Sequence, residues 1–504
     1  MTSHISETNR LTFRETDEAG NPTASYIYSG DVASSITSKT SGRVDVISSS
    51  SSTSPWSSKP IISSLSDVFL PSGYPQSVSD DYLPPPLLPS GSSRSISHPA
   101  QLHRPTQRAK QLTPTQHTGV GVGNANASPT SALLLHILQD ISGRIATICF
   151  AHRIGTALEP ECKTYRLAAD VFNDIAMILD CLSPGVPAGP ARVAVLSTAG
   201  VLRALCGVAG GSSKASLSAH FAKWGNLAEL NAKDSSQETV ISLFGMLVGS
   251  VVISHITSFS TTWLILLILL ALHLSMNYAA VRAVQMTSLN RQRANIVFST
   301  LFDSDRNLSL DLDPELDTTP SLSKTKSEWT VLTPAQVSKH ERIFHRDGVL
   351  QWTQHSTHTT QPLGSAQIGV SMSTFLGSVS GTSFPRTLPL QRLAAIFADE
   401  SYILFLVPLT SGGNVKWHAS ILLKRGCTVE HQLKAWAHAL LAARVLVRIT
   451  TGFSVDAVLA VVERTLGLLN ADARFERYLT ELGGVGWDVD IAALETRAGR
   501  RIEL

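Results

Sequence analysis

From Thr239 to Val281 the chain runs 43 residues without one Asp, Glu, Lys or Arg. Such a stretch lives either among lipid tails or in the interior of a large soluble fold, and either home excludes most other architectures. Trp263–Val281 is 19 residues long, about 28 Å at helical rise against a hydrocarbon core of about 30 Å. Trp263 and Tyr278 lie near its ends, where amphipathic rings favour the membrane interface. Val240–Ile256 is a second uncharged segment, and the connection "HITSFSTT" (His255–Thr262) is short and also uncharged. Basic residues gather outside both ends: Lys214, Lys223 and Lys233 before, Arg282, Arg291 and Arg293 after. This distribution predicts a membrane hairpin over 239–281 with both ends on the cytosolic side and lipid as its neighbour. Gly245 and Gly249 form a G-x-x-x-G at which two helices can approach closely.

The rest of the chain is organised around that segment. Residues 11–28 alternate β-formers about an Asp-Glu-Ala-Gly-Asn-Pro turn, a short N-terminal hairpin. A Ser-rich segment too polar to bury a core follows, so 1–67 reads as hairpin plus disordered segment. From about Thr130 long apolar helices begin; Leu167, Val171, Ile175, Ile178 and Leu182 share one arc, and Ser183-Pro184 ends that helix. The helical core is drawn over 130–300, with an entry motif and Pro/Ser-rich linker over 68–129 and an acidic loop over 301–330. Residues 331–504 read as a small α+β domain. In it Thr333 caps a helix with Pro334 at the first position. Strands are expected near Val349–Trp352, Gln367–Met372, Tyr402–Val407 and Val415–Leu423, and helices over 428–447 and 454–482. The fold class is mainly α: a membrane-associated helical domain with a helical hairpin, followed by the α+β domain. A net charge of +2 provides no field for nucleic acid. Five cysteines without C-x-x-C spacing indicate buried thiols rather than a disulfide framework. The N-terminus has no apolar h-region of a signal peptide.

The motifs occur in an order that resembles the Root UVB Sensitive family. They are "FLPSGYPQSVSDDYL" (Phe69–Leu83), "GVGVGNANASPTSALLLHILQDISGRI", "RLAADVFNDIAMILDCLSP", "GVAGGSSKASLSAHFAKWGNLAELNAKDSSQET", "LHLSMNYAAVRAVQMTSLNRQRA" and "SKHERIF". The resemblance is strong over about 68–345 and looser to about 445. It implies a membrane-associated protein connected with vitamin B6 homeostasis, working in homo- or hetero-oligomers with relatives; it implies no reaction and names no cofactor. One departure stands out. Between Leu83 and Thr113 the family pattern is apolar and helix-forming, whereas here the stretch is rich in Pro and Ser, as in a gene-model error or a divergent member.

Several polar groups are candidates for chemistry. Asp170 and Asp174, one turn apart with Asn173 between them, border the apolar arc of their helix and suit a cation or a proton; the plainer reading is a solvated helix edge. Lys233, Asp234, Gln237 and Glu238 cluster just before the first span, at a membrane mouth or as an Asp234 or Ser235 helix cap with Glu238 in the first turn. His273 and Asn277, four apart inside the second span, either line a solute path or bond to a neighbouring helix. Arg282, Arg291 and Arg293 grip headgroups or set topology. "GVGVGN" (Gly119–Asn124) lacks the full dinucleotide spacing, and "GVAGGSSKAS" has Ala215 where a phosphate loop needs Ser or Thr. His355 and His358 lack the partners of a zinc site, and no metal ligands or catalytic set are identified. Three functions follow: binding or transport of a small polar metabolite such as a pyridoxal-type vitamer, a membrane-anchored scaffold, or an enzyme whose site the sequence does not reveal.

Overall fold

The computed structural model describes residues 10–17, 20–29, 43–48, 129–312 apart from 188 and 257, and 329–504 apart from 355, 356, 358, 381–388, 412, 413, 449–453 and 498. The Ser-rich segment, the Phe69–Leu83 motif, the Pro/Ser-rich stretch, Gly119–Asn124, His355 and His358 lie outside the described residues. Helices predominate, with one sheet. The described residues of 129–283 form one compact unit, and those of 10–48 and 284–504 form the other.

The helical unit consists of α1 (Pro129–Ile154), α2 (Cys162–Leu182), α3 (Pro190–Phe221), α4 (Leu227–His255) and α5 (Phe259–Ala283). Gly189 turns the chain into α3 at φ 138°, a conformation that side chains disfavour, and Pro190 sits at the first helical position. α3 packs against both α1 and α2 because small residues let the backbones close. A Cβ on Gly210 would touch that of Ala169 at 3.5 Å, and one on Gly143 would touch that of Ala204 at 3.6 Å. The expected hairpin is present as consecutive helices α4 and α5, but α5 packs on α2. Gly245 and Gly249 face open space, so neither serves as a helix contact within this unit. Among the described residues, three helices are long and apolar enough to cross a membrane: α3, α4 as far as Val252, and α5. The sequence reading marked two, because Arg192, Arg203 and Lys214 interrupt α3.

The sheet unit joins both ends of the chain. Its strands are β1 (Arg10–Thr16), β2 (Pro22–Ser29), β3 (Arg43–Ser48), β4 (Val349–Thr353), β5 (Thr360–Ile368), β6 (Tyr402–Ser411), β7 (Asn414–Lys424) and β8 (Arg501–Glu503). Their order is β3-β2-β1-β8-β7-β5-β4, with β6 antiparallel to β7. The N-terminal hairpin is therefore no separate region: β8 pairs antiparallel with β1 and parallel with β7. Glu15 on β1, only 4% exposed, accepts the Met372 N–H at 2.7 Å and so pins that strand to a helix start. β5 begins earlier than the sequence predicts, through residues that resemble a loop. Gly364 is needed there because a Cβ would collide with the Trp417 carbonyl of β7.

Its helices are α6 (Arg291–Ser304), α7 (Arg306–Leu312), α8 (Pro334–His340), α9 (Met372–Ser380), α10 (Leu390–Ile396), α11 (Val429–Arg448), α12 (Val455–Asn470) and α13 (Arg474–Gly484). Thr333 and Gln336 form a reciprocal capping box on α8. The run 454–482, read as one helix, breaks at Asp472 and Ala473, both at φ 51°. α6 is buried along nearly its whole length and packs on β4 and α11, so the unit boundary falls after Ala283 rather than at 300. Its burial carries charge inward. Arg293 is 2% exposed and meets Glu341 at 2.8 Å, with a further bond from Nε to the Ser288 carbonyl at 2.6 Å. Lys434 likewise meets Glu400 at 2.9 Å. His438 is fully buried between the Tyr402 hydroxyl and Thr465 Oγ1, each at 3.0 Å.

Two stability predictions follow from these buried groups. Glu341→Ala strands the Arg293 charge and lowers unfolding free energy by about 3–5 kcal/mol, whereas Arg293→Met with Glu341→Leu restores most of the loss; thermal unfolding of the full chain compares them. Burial pushes the His438 imidazole down to about 4, below its unfolded value of 6.5. The unfolded chain therefore binds the proton first, and stability falls as pH drops from about 7 toward 4, by a few kcal/mol. His438→Gln flattens that slope in Tm measured against pH; an unchanged slope would refute the assignment.

Candidate functional site

The polar centre of the helical unit is assembled by α2, α3 and α5. On α2, Lys163, Leu167, Asp170 and Asp174 fall on one buried stripe at helical spacing. Asp170 and Asp174 are thus interior groups and not a solvated edge: 8% and 6% of their surfaces remain exposed. Arg166 Nη1 lies 3.9 Å from Asp170 Oδ1, one turn back on the same helix. From α5, His273 Nδ1 lies 3.2 Å from Asp174 Oδ2 and 3.1 Å from Oδ1. The hydrogen-bond direction favours Oδ2, and with the proton on Nδ1 the imidazole donates. Asp170 Oδ2 and Asp174 Oδ1 have no hydrogen-bond partner among the described residues. Burial pushes the Asp170 carboxyl above its usual range; Arg166 and His273 oppose that push, and Asp174 adds to it. Cys206 of α3 lies within the fields of both carboxylates.

The other predicted residues divide. Asn173, half-buried, lies about 100° around α2 from Asp174. Asn277 donates from Nδ2 to the His273 carbonyl at 3.0 Å, so it is held by its own helix while His273 reaches across to α2. Asp234 and Glu238 both meet Lys214 of α3, each at 2.7 Å, while Lys233 and Gln237 are exposed. α4 begins at Leu227, so Asp234 and Ser235 lie inside the helix and cap nothing. Lys214 was legible only as a flanking charge; no sequence spacing connects it to residues 20 and 24 positions away. Of the basic flank, only Arg282 belongs to the helical unit, at the end of α5. Arg291 and Arg293 are interior groups of the sheet unit. Arg291 donates to the Leu494 carbonyl at 2.7 Å and to Asp347 at 2.6 Å, and lies over the Trp436 ring. α6 buries both arginines, which removes them from headgroup contact.

Chemically, the α2–α5 centre sets two buried carboxylates beside one guanidinium and one imidazole that are each partly exposed. It suits proton holding or recognition of positive charge. Among the described residues, no three His, Cys, Asp or Glu side chains converge to hold a metal ion.

Comparisons with known proteins agree with the motif order. A family model described as a vitamin B6 photo-protection and homoeostasis domain matches residues 55–305, from before the helical unit to the end of α6. A Dictyostelium discoideum protein named RUS family member 1 is 40% identical over 238 residues, which cover 46% of this chain and 43% of that protein. Arabidopsis thaliana protein root UVB sensitive 3 is 28% identical over 429 residues, 84% of this chain and 82% of that protein. Arabidopsis protein root UVB sensitive 2, chloroplastic, is 26% identical over 47% of this chain and 52% of its own. No solved structure matches the chain. With the family model over its helical half and a plant relative aligned along most of its length, the chain belongs to the Root UVB Sensitive family.

Proposed function

We propose that this is an integral membrane protein whose helical unit binds or transports a small polar metabolite of the vitamin B6 group. The single observation that carries this reading is the Asp170–Asp174–His273 centre. It joins α2 to a helix apolar enough to span a bilayer and leaves two carboxylate oxygens without a hydrogen-bond partner among the described residues. Buried charge of this kind is expensive, and within a membrane it marks a solute or proton path by default. The vitamin connection comes from the description of the matching family model. Lipid is the neighbour of the exposed apolar surfaces of α4 and α5, including Ile241, Phe244, Met246, Leu264 and Leu272.

A second reading is favoured by one feature of α4. Over the candidate span, none of its residues is buried within the unit, so it makes no wall of a solute path there. On that reading the spans tether a scaffold, and replacing residues 239–281 with an unrelated hairpin preserves biological rescue. Transport predicts the opposite, since the replacement removes His273.

Two measurements test the proposal. Alkaline carbonate washing leaves the protein in the membrane pellet; recovery of intact protein in the supernatant removes the spanning assignment. Reconstituted vesicles take up labelled pyridoxamine above empty vesicles, and Asp174→Ala or His273→Ala reduces uptake by about tenfold or more. Uptake no faster than in empty vesicles eliminates transport.

A further inference from the structure

The acid pair on α2 lacks one positive charge. Asp170 and Asp174 are each more than nine-tenths buried, and Asp170 Oδ2 and Asp174 Oδ1 have no hydrogen-bond partner among the described residues. The charged and titratable groups facing them are Arg166 on α2 itself, Cys206 from α3 and His273 from α5. With thiol and imidazole neutral, two carboxylates and one guanidinium leave the group at minus one. Burial makes that state costly, and only two additions relieve it: a proton or a monocation. Magnesium and calcium are poor candidates, because they take six or more oxygen ligands or retained waters, whereas two carboxylate oxygens are on offer here. An ammonium group carries three N–H donors and matches two orphaned acceptors directly.

We propose that Asp170 and Asp174, with His273, bind the protonated amine of a small organic monocation in place of a proton, so that solute and proton exchange one for one. When the solute arrives, its N–H groups donate to Asp170 Oδ2 and Asp174 Oδ1. The proton held by the cluster leaves to solvent, and the formal charge of the filled site stays at zero. His273 makes the exchange sensitive to helix position, since its contact with Asp174 is a polar bond from α5 to α2. This assignment rests on reading the helical unit as a metabolite-handling membrane domain, and names the substrate class for it.

The test uses the full chain in lipid nanodiscs and two probes, pyridoxamine and methylammonium. Titration calorimetry in buffers of different ionisation enthalpy counts protons released by the wild-type protein. The expected count is about one per amine bound, with affinity rising up to about tenfold per pH unit where the cluster titrates. Pyridoxine, which has the same ring without the amine, releases none. Asp170→Asn with Asp174→Asn, nearly isosteric and checked by elution volume, weakens amine binding about tenfold or more and abolishes proton release. Unchanged amine binding in that variant, no proton release in the wild type, or no binding of either probe overturns the proposal. If pyridoxamine enters vesicles equally well with the double variant, transport of the vitamin stands as an activity, while this site and the role given to it in that transport both fall. Proton-coupled binding of methylammonium without pyridoxamine binding keeps the site and removes the vitamin reading.

Discussion

Taking charge out of water governs both halves of this molecule. A buried ion without a partner costs several kcal/mol, so each charge in the interior must be matched or neutralised. The sheet unit closes its buried ion pairs, although Arg444 Nε there has no hydrogen-bond partner among the described residues. Arg293 is closed by Glu341 and the Ser288 carbonyl, Lys434 by Glu400, and His438 is held neutral between hydroxyls. The helical unit does so only in part, because Arg166 and His273 leave two carboxylate oxygens of the α2 stripe without a hydrogen-bond partner among the described residues. The proposed site rests on those two oxygens.

Close backbone approach makes the site possible. α3 presents Ala199, Ala209 and Ser213 as fully buried small residues, and Gly210 lies against Ala169 of α2. The acid stripe of α2 is thereby drawn into the interior, while α5 contributes His273 from the other side. The sheet unit uses a different device. Inserting β8 between β1 and β7 closes the first and last strands into one sheet, and Glu15 fastens β1 to the start of α9.

Local signals were legible wherever a residue's reason lies within a turn or two of chain. The uncharged run over 239–281, the Thr333–Pro334 helix start and the β-forming runs of β6 and β7 are of that kind. β5 was shifted because Gly364 answers to Trp417, more than fifty residues away, and mimics a loop signal. The pairing of Lys214 with Asp234 and Glu238 was hidden for the same reason, and Arg291 and Arg293 were misplaced because membrane-flanking and core arginines have the same local sequence.

The sequence by itself determined that the middle of the chain carries no charge over 43 residues, that helices predominate and which family's motifs are present, because hydropathy, periodicity and motif order are properties of neighbouring residues. Only the tertiary structure decided that Asp170 and Asp174 face inward, that His273 rather than Asn277 reaches them, and that α6 belongs with the sheet. Those outcomes depend on which helix faces meet, and faces are chosen by packing and charge pairing between segments distant in sequence, as Asn295 of α6 and Trp436 of α11 are.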